Sequence, residues 1–252
     1  MCGRYSLAPD ESSEISRIVS EVQARFGTAS IRTGEIFPTN ATPVLLAEGK
    51  KMTPKPMTWG FPGFKGKGVI INARGETAFD KPMFRRSLLE RRCVVPTTGF
   101  YEWDKGKTKY QFNLPGLSEL YLAGLWNTFQ GEERFVILTT APNDTMIRIH
   151  DRMPVLLRNE ELLPWLYDLS LIHIFPTVIR GGYNDTWNIR RLTEEGESVG
   201  IAAAPAKDRL GVRRKDLTQN SGPACLLYTS GTSRMIRSTM WSCSPAGNPS
   251  LW

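Results

Sequence analysis

The sequence predicts an α+β fold in which mainly antiparallel β sheet forms a barrel-like core with peripheral helices, and three observations predict it. From Glu35 onward, short apolar runs alternate with breaks at Pro and Gly: TPVLLA, PMTWGF, GVIINA, RRCVVP, GFYEW, KYQFNL, LYLAGLW and RFVILTT. Turn signals such as Asp104-Lys105-Gly106-Lys107 separate neighbouring runs. Helical periodicity is confined to a few short stretches.

The first of these stretches is PDESSEISRIVSEVQARF, where Ile15, Ile18, Val19, Val22 and Phe26 recur on one face after a Pro-Asp start. It reads as a helix packed on a sheet. A second helix is expected at about 80–90, with Phe84, Leu88 and Leu89 on one face, and two shorter pieces near Asp144 to Ile149 and Asn159 to Leu166. After Asp168 neither period is sustained. Residues 169–252 scatter Ser, Gly, Pro and Arg and include LSLIHI and CLLYTS, which resemble translated sequencing-adapter fragments. The expected organisation is therefore one domain over 1–168 and an irregular, disordered or chimeric tail over 169–252.

With 252 residues, 40% apolar and 23% charged, the chain has the balance of a globular protein with a proper core. No secretory apolar segment or run of about 18 apolar residues is present, and Cys2, Cys93, Cys225 and Cys243 follow no pairing pattern. A soluble, reducing, cytoplasmic setting is expected, with no membrane partner. The net charge of +7 divides into +3 over 1–168 (22 Lys+Arg against 19 Asp+Glu) and +4 over 169–252 (10 against 6). Bulk charge of this size does not itself point to nucleic acid, so an anion site has to come from locally placed arginines.

Chemistry concentrates at a few positions. Cys2 follows the initiator Met1; once Met1 is removed, it becomes a 1,2-aminothiol whose amine and thiol, titrating near about 8 and 8.5, are both partly available at neutral pH. An aldehyde condenses with such an amine to an imine, and the sulfur then closes a thiazolidine ring. A small second residue is also simply what permits methionine removal. In IINARGET an apolar run ends on Asn72, Arg74 and Glu76. Asn72 and Arg74 either mark a turn or line a site, since an amide orients an oxygen or imine nitrogen and a guanidinium grips phosphate as a fork; Glu76 reads as a turn marker. Glu102 in GFYEW either is solvated or faces inward, where desolvation would raise its pKa and fit it for proton transfer. His150, followed by Asp151, Arg152 and Met153-Pro154, is either a hydrogen-bonded structural residue or part of a site. No metal or other cofactor is expected: His173, Cys225 and Cys243 lack zinc-ligand spacing, and no glycine motif cradles phosphate.

Taken in order, MCGRYS, GEIFPTN, MTWGFPGF, IINARGET, RRCVVPTTGFYEW, LYLAGLW, RFVILTTAPN and IHDRMPVLL resemble the SRAP family, the SOS-response-associated peptidases that shield abasic sites in single-stranded DNA. The resemblance runs from Met1 to about Trp165 and is nearest to the bacterial branch. It implies self-removal of Met1, a basic groove, and a covalent thiazolidine crosslink from Cys2 to the ring-opened sugar aldehyde. By the same resemblance Asn72 orients the sugar or the amine, Glu102 is the general acid/base, and His150 assists proton transfer and reversal. Arg4, Arg74 and Arg152 match arginines that hold phosphates flanking the lesion. Trp59 and Phe64 lie where relatives present an aromatic wedge to the strand; burial is the stronger reading for Trp59, while stacking on a base is physically sensible for aromatics in this loop. The implied partner is single-stranded DNA with abasic sites, bound by a monomer in the bacterial cytoplasm, at the nucleoid when on DNA. Relatives continue with a further helix and strand, so one side of the core stays uncovered unless residues 169–252 supply an equivalent.

Two other functions fit the same residues. An N-terminal-nucleophile peptidase or amidase would use Cys2 on a carbonyl with its own amine as base. A non-catalytic nucleic-acid binding module would use only the arginines and aromatics.

Overall fold

The computed structural model of the chain describes residues 2–63, 66–167 and 187–192, together with the backbone of 198–202. All of them fall within one unit, Met1–Lys207. Most of the expected tail, with His173, Cys225 and Cys243, lies outside the described residues, as does Phe64.

The chain begins with β1 (Arg4–Leu7), α1 (Ser13–Phe26), β2 (Gly34–Ile36), β3 (Ala41–Glu48) and β4 (Lys51–Trp59). A short hairpin of β5 (Phe61–Pro62) and β6 (Val69–Ile70) leads to β7 (Asn72–Arg74), α2 (Gly75–Ala78) and α3 (Pro82–Glu90). There follow β8 (Arg92–Thr97), β9 (Gly99–Trp103), β10 (Lys109–Asn113), β11 (Leu120–Phe129) and β12 (Glu132–Thr140). The last elements are β13 (Met153–Pro154), β14 (Leu156–Leu157), α4 (Asn159–Tyr167), β15 (Asn188–Leu192) and β16 (Ser198–Ala202).

Strands β12, β4, β3, β8 and β11 pair in that order, and β11 pairs back onto β12, which closes a five-stranded barrel. Every step is antiparallel except β12 with β4, so the predicted mainly antiparallel, barrel-like α+β architecture holds. A second sheet runs β16-β15-β10-β9-β1-β2. Gly99 is required where β9 meets β10, because a Cβ there would lie 2.8 Å from Phe112 O.

Helix α1 starts at Ser12, whose hydroxyl accepts from the Ile15 N–H at 3.2 Å, and buries Ile15, Ile18, Val19 and Val22. Each such aliphatic side chain contributes about 1.5–3 kcal/mol by leaving water. Phe26, expected on the same face, is exposed, because it is the last helical residue before Gly27 turns the chain at φ 93°. The piece expected near Asp144 to Ile149 is a single 3₁₀ turn, Met146–Arg148. Around the barrel, buried Arg92 donates to Leu88 O and to Trp165 O, and Trp165 Nε1 donates to Cys93 O at 2.9 Å, tying α3 and α4 to β8.

Beyond the domain end expected at 168, the chain returns to the sheet. Trp187 is buried edge-on against the stacked rings of Phe100 and Phe112, and β15 pairs with β10 along five residues. The strand extends the sheet beyond β10, and Trp187 just before it covers Phe100 and Phe112 on the inner face. Among the described residues no helix is long and apolar enough to cross a membrane.

Candidate functional site at the amino terminus

Four segments distant in sequence meet at the start of β1. Tyr5 and Leu7 face the core, and Cys2 is itself fully buried. Its thiol donates to Arg4 O at 3.7 Å. Asn72 opens β7, which lies parallel to β12 with Asn72 opposite Ile137. Its Nδ2 donates to Cys2 O at 2.9 Å, which assigns the amide orientation. Its Oδ1 is buried with no partner among the described residues.

Strand pairing decides the environment of Glu102. Arg4 is opposite Tyr101, so the residues alternating with Tyr101 on β9, Phe100 and Glu102, point to the inner face, and Glu102 is only 2% exposed. Burial pushes its carboxyl up to about 7, against the opposing pull of the chain's amino terminus. His150 follows the 3₁₀ turn. Its Nδ1 lies 3.0 Å from the Arg152 backbone N–H and 3.2 Å from both Arg152 O and Asp151 Oδ1, burial pushes its pKa down, and its Nε2 lies 3.8 Å from Glu102 Oε2. That distance exceeds a hydrogen bond. Burial and then the Glu102 charge push the Cys2 thiol far above its ordinary value. The sulfur is therefore held as a thiol, which becomes a nucleophile only where a base takes its proton.

The arginines are dispersed around this cluster. Arg74 ends β7, exposed, with no ion pair among the described residues. Arg152 Nη2 donates to the carbonyl of Thr139, the β12 residue opposite Arg74, so both cations share one rim. Glu76 corrects the expectation of a simple turn marker: its two oxygens take both ends of the Arg152 fork at 2.9 Å. Arg4 lies on the outer face of β1, between the rings of Phe37 and Trp103.

Trp59 must be withdrawn from the strand-contacting set. It is fully buried, 5.2 Å from the Tyr5 ring and stacked on Phe135, and its Nε1 donates to Ile71 O at 3.0 Å. A ring enclosed on both faces cannot stack on a base; it braces β1 through Tyr5 and β7 just before Asn72. Among the described residues, the exposed aromatic in this region is Phe37, set outward by the GEIFPTN turn, in which Asn40 Oδ1 accepts from Phe37 N and Thr39 takes φ 73°. Sequence reading passed over Phe37; its signal was the Asn three residues on, which closes the turn. Among the described residues, no group of three or more His, Cys, Asp or Glu is placed to hold a metal.

Beside the closed barrel, the second sheet thus brings a buried cysteine, a buried acid with a raised pKa and a half-buried histidine together at the first residues of the chain. The family model for SOS response associated peptidase (SRAP) matches residues 1–172, and the chain belongs to that family. It is 34% identical over 186 residues to the abasic site processing protein YoqW of Bacillus subtilis, covering 66% of this chain and 80% of that one. It is 26% identical over 177 residues to YedK of Escherichia coli, another abasic site processing protein, covering 66% and 79%. Among solved structures, a protein from Bacteroides thetaiotaomicron shares the fold with a TM-score of 0.62 at 21% identity, covering 77% of this chain and 93% of that one.

Proposed function

We propose that this chain captures abasic sites in single-stranded DNA through a covalent bond to Cys2 after removal of Met1. Hydrolysis of the Met1–Cys2 peptide bond exposes the amine. The amine then adds to the aldehyde carbon of the ring-opened deoxyribose and expels water, leaving an imine. The Cys2 sulfur adds to the same carbon while its proton passes to the imine nitrogen, which closes the thiazolidine. Glu102, poised near neutrality, takes and returns protons in the first step and in opening the sugar ring. His150, whose Nε2 faces Glu102, relays them and assists reversal. Asn72 has an unoccupied acceptor to orient the new amine or a sugar hydroxyl. Arg74, joined by Arg4 and Arg152, holds flanking phosphates.

The observation that carries this reading is the convergence of Asn72, Glu102 and His150 on the amino-terminal cysteine, in a chain whose relatives are named abasic site processing proteins. The test mixes the protein with single-stranded oligonucleotides with and without one abasic site. A denaturant-resistant adduct is expected with the lesion alone, and not from Cys2→Ala or Cys2→Ser. Mature protein that forms no adduct refutes the crosslink. An N-terminal-nucleophile hydrolase would instead retain turnover of a peptide or amide in Cys2→Ser.

A further inference from the structure

Two of the three arginines assigned to phosphates already hold an anion. Arg152 gives Nη1 to Glu76 Oε1 and Nη2 to Glu76 Oε2, each at 2.9 Å, the two-pronged geometry with which a guanidinium takes a phosphate. Its Nη2 also donates to Thr139 O at 2.7 Å, so the outward edge of the fork is spent. Arg4 Nη1 donates to Glu35 Oε1 at 3.1 Å, and Lys109 Nζ reaches the same oxygen at 2.6 Å. The Arg4 guanidinium also lies over the rings of Phe37 and Trp103, at 4.3 and 5.2 Å. Both carboxyls lose some solvation by partial burial, which alone would raise them, yet their cations outweigh it and hold them below the usual carboxylate range. Of these three arginines, only Arg74 has no ion pair among the described residues.

We propose that Glu76 and Glu35 are built-in stand-ins for phosphate, so that a single strand gains Arg152 and Arg4 only by displacing a carboxylate from each. This rests on the reading that the chain binds single-stranded DNA. A phosphodiester and a carboxylate each offer two oxygens sharing one negative charge, and one fork edge cannot serve both. The pairs are solvent-accessible on the carboxylate side, with Glu76 40% exposed and Glu35 30%, and ion pairs of that exposure are weak enough to exchange. Arg74, Arg152 and Glu76 together present a single positive charge at the rim. Intact backbone is thereby held loosely, and retention on DNA is left to the chemistry at Cys2 instead of to charge.

The test measures binding of an undamaged single-stranded oligonucleotide by fluorescence anisotropy over a series of salt concentrations, for the unsubstituted chain, Glu76→Gln, Glu35→Gln and the double variant. Each released cation that newly neutralises a phosphate steepens the log–log salt slope by about 0.7, which corresponds to binding about fourfold tighter at physiological salt and roughly fifteenfold for the double variant. Glu76→Ala has to move in the same direction as Glu76→Gln. Unchanged or weaker binding by these variants overturns the proposal and makes the carboxylates braces that aim the arginines. If the unsubstituted chain binds no single strand at any salt, the DNA reading fails and takes this proposal with it. If it binds and the Gln variants bind no tighter, this proposal alone falls.

Discussion

Replacing Glu102 by Gln separates what this side chain does for stability from what it does for chemistry. Its carboxyl is 2% exposed, and burial raises it from its ordinary 4.5 to about 7. Between those values the folded protein keeps a proton that the unfolded chain has released. The folded state thus binds more protons, and stability is full below pH 4.5 and declines as pH rises through about 7. Two and a half units at about 1.36 kcal/mol each make the decline about 3 kcal/mol. Gln is nearly the same shape and carries no titrating proton. Urea unfolding of both proteins at a series of pH values gives a difference curve in which titrating groups remote from position 102 cancel. The curve is expected to climb in favour of Glu102→Gln by about 3 kcal/mol between pH 4.5 and about pH 8. The same variant is expected to slow adduct formation by about 10²–10⁴-fold, the usual size of a general acid–base contribution. A flat difference curve, or one that favours the unsubstituted protein as pH rises, refutes the argument that burial controls this carboxyl.

Two further substitutions test the supports of the site. Trp59→Ala removes a ring fully enclosed between Tyr5 and Phe135 and is expected to lower the unfolding free energy by about 3–5 kcal/mol, with slower adduct formation as Asn72 loses its brace. A loss under about 1 kcal/mol in urea unfolding would contradict its core position. Trp187→Ala opens the packing on Phe100 and Phe112 and is expected to lose a similar amount. Stability within about 0.5 kcal/mol of the unsubstituted chain would mean that the returning segment is not part of the core.

Much of the fold was legible because it is written in local pattern. The apolar runs from TPVLLA to RFVILTT became β3 through β12, and the spacing of Ile15, Ile18, Val19 and Val22 became the buried face of α1. The return of Asn188–Leu192 to β10 was not legible. Its five residues carry two arginines and only two aliphatics, and what selects them is the vacant edge of β10 and the pocket that Phe100 and Phe112 offer Trp187. Local period is silent about an edge supplied from 75 residues away or more.

The candidate site divides in the same way. By itself the sequence determined which reactive groups exist: a thiol one residue from the start, an amide and arginines closing an apolar run, a carboxylate between aromatics and one histidine before Arg152. It also carried enough ordered motifs to place the chain in its family. The tertiary structure alone decided their states. The register of β1 on β9 turned Glu102 inward and raised its pKa, enclosure silenced Trp59 as a surface ring, and Glu76 met Arg152 across 76 positions. Protonation and ion pairing depend on distance and desolvation in three dimensions, and a linear string specifies those only once the sheets have closed.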